Sequence, residues 1–105
     1  MSTKANEQEI EKEIIEKGLT APRITPELIS SKIKSEDYYV FPGSTVTVCL
    51  LTLENGFSVI GHSATASPDN FDEEIGRKIA KTEARDKIWR LEGYFLSQKL
   101  YEKNK

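Results

Sequence analysis

The sequence predicts an α+β fold: short N-terminal helices, an antiparallel β-hairpin and one long C-terminal helix, in the order α-α-β-β-α, completed by oligomerisation. Three observations predict it. Glu54-Asn55-Gly56 separates two β-branched and apolar runs, 45–53 and 57–64, and Asn-Gly is the strongest short hairpin signal because both residues tolerate positive φ. Apolar residues between 71 and about 101 recur at helical steps. Thr25-Pro26-Glu27-Leu28 has the composition of a helix start.

Taken in order, residues 1–6 read as frayed. From 7 to 17, Ile10, Ile14 and Ile15 share one side of a helix whose other positions are mostly glutamate, and Gly18 is placed to end it. So short and charged a helix needs a partner to be stable. After a loop containing Pro22, Thr25 caps the second helix, Pro26 suits its first position and Glu27 complements its dipole. Leu28, Ile29 and Ile33 form its inner face, and it is expected to end near Lys34. Residues 35–43 then turn the chain into the sheet, with Pro42-Gly43 as a turn.

Along the first strand Val46, Val48 and Leu50 point to one face, and Thr47, Cys49, Leu51 and Leu53 to the other. Both faces are substantially apolar. Helices cover one, and the other calls for an oligomer, a dimer or a tetramer. Asn70, three residues before Glu73, predicts a capping box at the head of the long helix. Its stripe runs through Ile75, Ile79, Ala84, Ile88, Leu91 and Phe95, widened by Ala80, Trp89, Leu96 and Leu100. Gly76 and Gly93 each cost about 1 kcal/mol relative to alanine in a helix. Close packing on the hairpin would account for Gly76, and a bend or close helix contact for Gly93. Residues 1–23 thus read as a charged helix and linker, and 24–105 as a single compact domain.

A chain of 105 residues, 37% hydrophobic and 30% charged, suits one domain with a well-solvated surface. Its 15 Lys and Arg against 17 Asp and Glu give a formal charge of −2. That balance argues against general duplex nucleic-acid binding, which needs surplus cations to displace phosphate counterions. No stretch approaches the roughly 20 apolar residues of a membrane span, and the polar start lacks a signal peptide's core. A single cysteine forms no intramolecular disulfide, which predicts a reduced, cytoplasmic setting without membrane association.

Catalytic and metal patterns are missing from the sequence. His62 is the only histidine and has no nucleophile-elbow sequence beside it. Cys49, inside an apolar strand, reads as an unreactive buried thiol. There is no cysteine pair, histidine-glutamate ladder or calcium loop. Asp69, Asp72, Glu73 and Glu74 are explained by a helix start. The glycines form neither the dinucleotide fingerprint nor the Walker loop. A non-enzymatic protein with no catalytic residues, no metal and no cofactor is the expectation.

One surface combines cations and aromatic rings. Arg77, Lys81 and Arg85 stand at successive i, i+4 positions and project in one row, with Lys78 beside it. Such a row can hold phosphates while Tyr38, Tyr39, Phe41 or Trp89 stack on bases. The competing reading is an ordinary charged helix face, with Glu73 pairing Arg77, Glu74 pairing Lys78 and Glu83 pairing Lys87.

From residue 24 to 100 the chain resembles the phage gp49/66 family of small tailed-phage proteins. The resemblance rests on Ile24-Thr25-Pro26-Glu27, Ser35-Glu36-Asp37-Tyr38-Tyr39, Thr45-Val46-Thr47-Val48-Cys49 and Leu51-Thr52-Leu53-Glu54-Asn55-Gly56-Phe57. It continues through Asn70-Phe71-Asp72-Glu73-Glu74-Ile75-Gly76-Arg77-Lys78-Ile79-Ala80 and closes on Lys87-Ile88-Trp89-Arg90-Leu91-Glu92-Gly93-Tyr94. Arg90 stands where a proline is expected in many relatives, which predicts a more continuous helix here.

The resemblance implies a phage-encoded accessory protein acting in the host bacterial cytoplasm. It supplies no settled activity. Together with the cation row it leads to an expected function: binding and withholding a small nucleotide signal, a cyclic dinucleotide of host anti-phage defence, without chemistry. The expected ligand-binding residues are Tyr38, Tyr39, Arg77, Lys81, Arg85 and Trp89. An oligomer would duplicate them around a two-fold symmetric ligand. The alternative is a protein-binding inhibitor of a host enzyme or DNA-processing factor. Its contact would come from the second hairpin face and the acidic N-terminal helix.

Overall fold

The computed structural model describes residues 6–105, so the expected fraying of residues 1–5 lies outside the described residues. The chain folds as α+β, with helices α1 (Glu7–Glu16), α2 (Pro26–Lys32) and α3 (Glu73–Lys103) and strands β1 (Ile33–Val40), β2 (Thr47–Leu53) and β3 (Ser58–Ser63). A one-turn 3-10 helix, Pro68–Asn70, precedes α3. The expected hairpin is present as β2 and β3. A third strand joins it, giving an antiparallel sheet in the order β1-β2-β3.

Helix ends follow their capping chemistry. Asn6 accepts from the Gln8 and Glu9 amides at 2.7 and 3.4 Å, so this residue is a cap rather than frayed chain. Thr25 Oγ1 accepts the Leu28 amide at 3.0 Å. The cap of α3 is Asp72, which takes the Ile75 amide at 2.9 Å. The expected cap, Asn70, is instead absorbed into the 3-10 turn that Pro68 begins. Helix α3 runs unbroken through Arg90 and Gly93.

The second helix stops at Lys32, not Lys34, and residues 33–40 continue as strand rather than turn. β-formers at Tyr38, Tyr39 and Val40 find a ladder on β2, and a bulge between Ile33 and Ser35 absorbs the change of register. In the β2–β3 loop only Gly56 takes positive φ, at 90°. Leu53 donates to Phe57 O at 2.8 Å, so the connection is a three-residue loop, 54–56, closed by glycine.

The odd residues of β2 (Thr47, Cys49, Leu51 and Leu53) are buried, as the alternation predicts. With Val59 and Ile29 they meet Ala80, Ala84 and Ile88 of α3. Two glycines set the sheet-to-helix distance. A Cβ on Gly61 would lie 2.1 Å from Ala80 O and 2.4 Å from the Ala84 amide, and one on Gly76 would lie 2.9 Å from Thr47 Oγ1. Only missing side chains let backbone pass this close. Gly93 has open space around it. Helix α3 lies beneath β2 and β3, leaving β1 overhanging its flank.

Candidate functional site

The expected site residues fall into one group and one outlier. Arg77, Lys81, Arg85 and Trp89 stand one turn apart on α3, a row about 18 Å long. Arg77 and Lys81 face the overhanging strand β1, whereas Arg85 and Trp89 face α1 and the start of α2. Tyr38 joins this row, because its side chain is on the helix side of the sheet opposite Cys49, and the Arg77 guanidinium lies 5.9 Å from its ring centroid. Tyr39, next in the strand, points to the other face and is 55% exposed, stacked edge-on against Phe41 at 4.9 Å. It is not part of the same constellation.

Each cation of the row holds a carboxylate. Arg77 pairs with Glu73 one turn earlier, and Lys78 with Glu74, as the helix spacing predicts. Lys81 Nζ is 2.9 Å from Glu36 Oε2. Arg85 grips Glu7 through two bonds, Nε to Oε2 at 2.9 Å and Nη2 to Oε1 at 2.7 Å. Its Nη1 also donates to Ser30 Oγ at 3.1 Å. Glu83 takes a different partner from the expected Lys87. It lies 2.9 Å from His62 Nδ1, while Lys87 donates to the Ile60 carbonyl at 2.6 Å.

These contacts tune the acids in opposite directions. The Lys81 ammonium, opposed by burial, holds the Glu36 carboxyl below its usual range, and Arg85 does the same to Glu7. Burial above all, with Cys49 and Glu36 beside it, pushes the Tyr38 phenol up; its hydroxyl donates to Glu36 Oε1 at 3.1 Å. Burial likewise pushes the Cys49 thiol up, which keeps it protonated and unreactive. Among the described residues no group of three or more His, Cys, Asp or Glu is arranged to hold a metal.

Beyond Arg85 the row ends in a cavity of about 420 Å³ between α1, the 24–26 segment and α3. Trp89, Ile10, Ile14, Ile24 and Pro26 wall it, with Glu7, Glu11 and Asp86 at its rim. Helix α1 is held here by Glu7 on Arg85 and by Glu11 on Arg23, on the same face that carries Ile10 and Ile14, and none of its residues is buried.

The family model for phage protein (N4 Gp49/phage Sf6 gene 66) matches residues 24–100. The chain belongs to this phage protein family. No curated protein and no solved structure matches it. The gp49/66 span takes in the whole cation row, Tyr38 and all three strands, whereas α1 and its Glu7 lie outside it. Among the described residues no helix is long and apolar enough to cross a membrane.

Sequence reasoning placed the row and its local partners, Glu73 and Glu74, but missed the distant ones. Glu36 and Glu7 lie 45 and 78 residues from the cations they hold, in elements whose placement no local spacing encodes. The one available signal was the alternation of Glu36, Tyr38 and Val40, which sets a strand face toward the helix.

Proposed function

We infer that this phage protein is a non-catalytic, homo-oligomeric accessory factor that binds a small nucleotide signal and keeps it from host effectors. A cyclic dinucleotide is the ligand class. The observation that carries the reading is the Arg77–Lys81–Arg85 row with an aromatic ring at each end, Tyr38 beside Arg77 and Trp89 beyond Arg85. Three cations spaced one turn apart match two phosphates of a ring-shaped ligand, and the rings offer stacking surfaces. Phosphates carry the charge to exchange with Glu36 and Glu7, which hold the cations when no ligand is bound. Arg77 and Lys81 are solvent-accessible for that exchange, with side chains 47% and 36% exposed.

Calorimetric titration with a panel of cyclic dinucleotides tests this. Binding should weaken at least tenfold in Lys81→Ala, since one charged hydrogen bond is worth about 1.5–3 kcal/mol. Heat denaturation of the complex should return the ligand intact, because no chemistry is involved. A correctly folded protein that binds none of the panel at tens of micromolar, or returns cleaved ligand, would refute the reading.

A second reading rests on a separate observation. The outer sheet face carries Tyr39, Phe41 and Ile60 at 49–55% exposure around half-buried Val48 and Leu50. A protein-binding inhibitor would use that face, and capture of one stoichiometric host protein with no nucleotide bound would favour it.

A further inference from the structure

The two edges of the sheet are treated differently. On β3 two of the outward-facing backbone groups are held by side chains of α3, which cross the edge: the His62 amide donates to Glu83 Oε1 at 3.1 Å, and Lys87 Nζ donates to Ile60 O at 2.6 Å. This edge is closed to another strand. On β1 the parity of the ladder is set by Phe41 N donating to Val46 O. Residues 35, 37 and 39 therefore bond to β2, and the amides and carbonyls of Glu36, Tyr38 and Val40 point outward. Among the described residues nothing is bonded to them. The strand has no proline, and its bulge lies at the far end, between Ile33 and Ser35.

We propose that β1 of a second copy pairs with this edge, antiparallel about a two-fold axis at Tyr38, and that the ligand site is the seam between the two copies. The proposal rests on the sequestration reading for its ligand and on the edge geometry for its partner.

Charge selects the register. Centring the axis on Glu36 or Asp37 sets identical carboxylates directly opposite each other, which is destabilising. Centring it on Tyr39 brings Pro42, which lacks an amide, into the ladder opposite Glu36. At Tyr38 neither fault occurs. Glu36 then faces Val40 of the second copy, and each facing pair exchanges two hydrogen bonds.

The seam completes a site that one copy only begins. Helix α3 sits under β2 and β3 rather than β1, so pairing leaves a groove beneath the joined β1 strands. Four strand spacings between the two α3 axes give about 19 Å, and subtracting one helix diameter leaves a groove about 8 Å wide. Its roof is Tyr38 from both copies, and its walls are the two rows of Arg77 and Lys81. A ligand with two-fold symmetry and two phosphates, a cyclic dinucleotide, presents the same chemistry to each wall.

The test is NMR-detected amide exchange on the full chain, with sedimentation, for the wild type and for Val40→Pro. Proline at an outward edge position removes an unpaired amide and is tolerated in a single copy. In concentrated wild-type protein, Glu36, Tyr38 and Val40 amides should exchange at least about tenfold more slowly than on dilution. Val40→Pro should sediment as one copy with unchanged circular dichroism. Fast exchange at all three amides in concentrated protein, or a Val40→Pro variant that still pairs, would overturn the proposal. Should the edge be protected while no cyclic dinucleotide binds, the pairing stands and the sequestration reading alone fails.

Discussion

One missing carbon at Gly61 sets how closely α3 approaches the sheet. A Cβ there would meet helix backbone at 2.1 Å, an obstacle that no side-chain rotation relieves. Gly61→Ala should therefore destabilise the fold by about 3 kcal/mol in chemical denaturation, at the upper end of overpacking costs. Gly93→Ala, where the added carbon meets nothing within 4 Å, should stabilise it by up to about 1 kcal/mol through helix propensity alone. Opposite signs for the same substitution separate packing from propensity. Thr47 makes a third case. Among the described residues its Oγ1 is the one buried side-chain polar atom without a hydrogen-bond partner. Thr47→Val keeps the shape and removes the orphan, so stability should rise by about 1 kcal/mol, read by the same denaturation curve.

At the scale of elements, α1 is the part held by charge. Arg85 and Arg23 keep the Glu7 and Glu11 carboxyls below their ordinary range. A depressed carboxyl stabilises the folded state fully above its unfolded value and loses that contribution as pH falls through the lower folded one. Helix α1 should thus stay docked above about pH 4.5 and release in more acid solution before the sheet unfolds. Limited proteolysis across that range should cut first within residues 17–24, and Arg85→Ala should bring the same cleavage to neutral pH. Helices and hairpin were legible in the sequence because their signals are local: Thr25-Pro26 at a start, Asn55-Gly56 at a turn, Ile75 to Phe95 along a stripe. Strand β1 was not. Ile33 extends the apolar spacing of α2, and Ser35-Glu36-Asp37 reads as polar connection until β2 supplies the ladder. The cation row was legible from its spacing. So was Glu73 as the partner of Arg77; Glu36 and Glu7 were not, because long-range docking places them.

The whole molecule is elongated. Its radius of gyration is 16.3 Å over extents of 53 × 32 × 18 Å, against about 13 Å for a compact domain of this length. A thin sheet covered on one side and a 31-residue helix account for the shape. Such a body leaves much apolar surface open, with Leu91, Tyr94 and Tyr101 on the far part of α3 between 44% and 73% exposed. The proposed pairing along β1 would widen the sheet from three strands to six and set the two cation rows face to face. The stoichiometry of cyclic dinucleotide binding tests this picture most directly. Calorimetry should give one ligand for every two chains, with binding lost in Val40→Pro; one ligand per chain, unchanged by that substitution, would place the site within a single copy and contradict it.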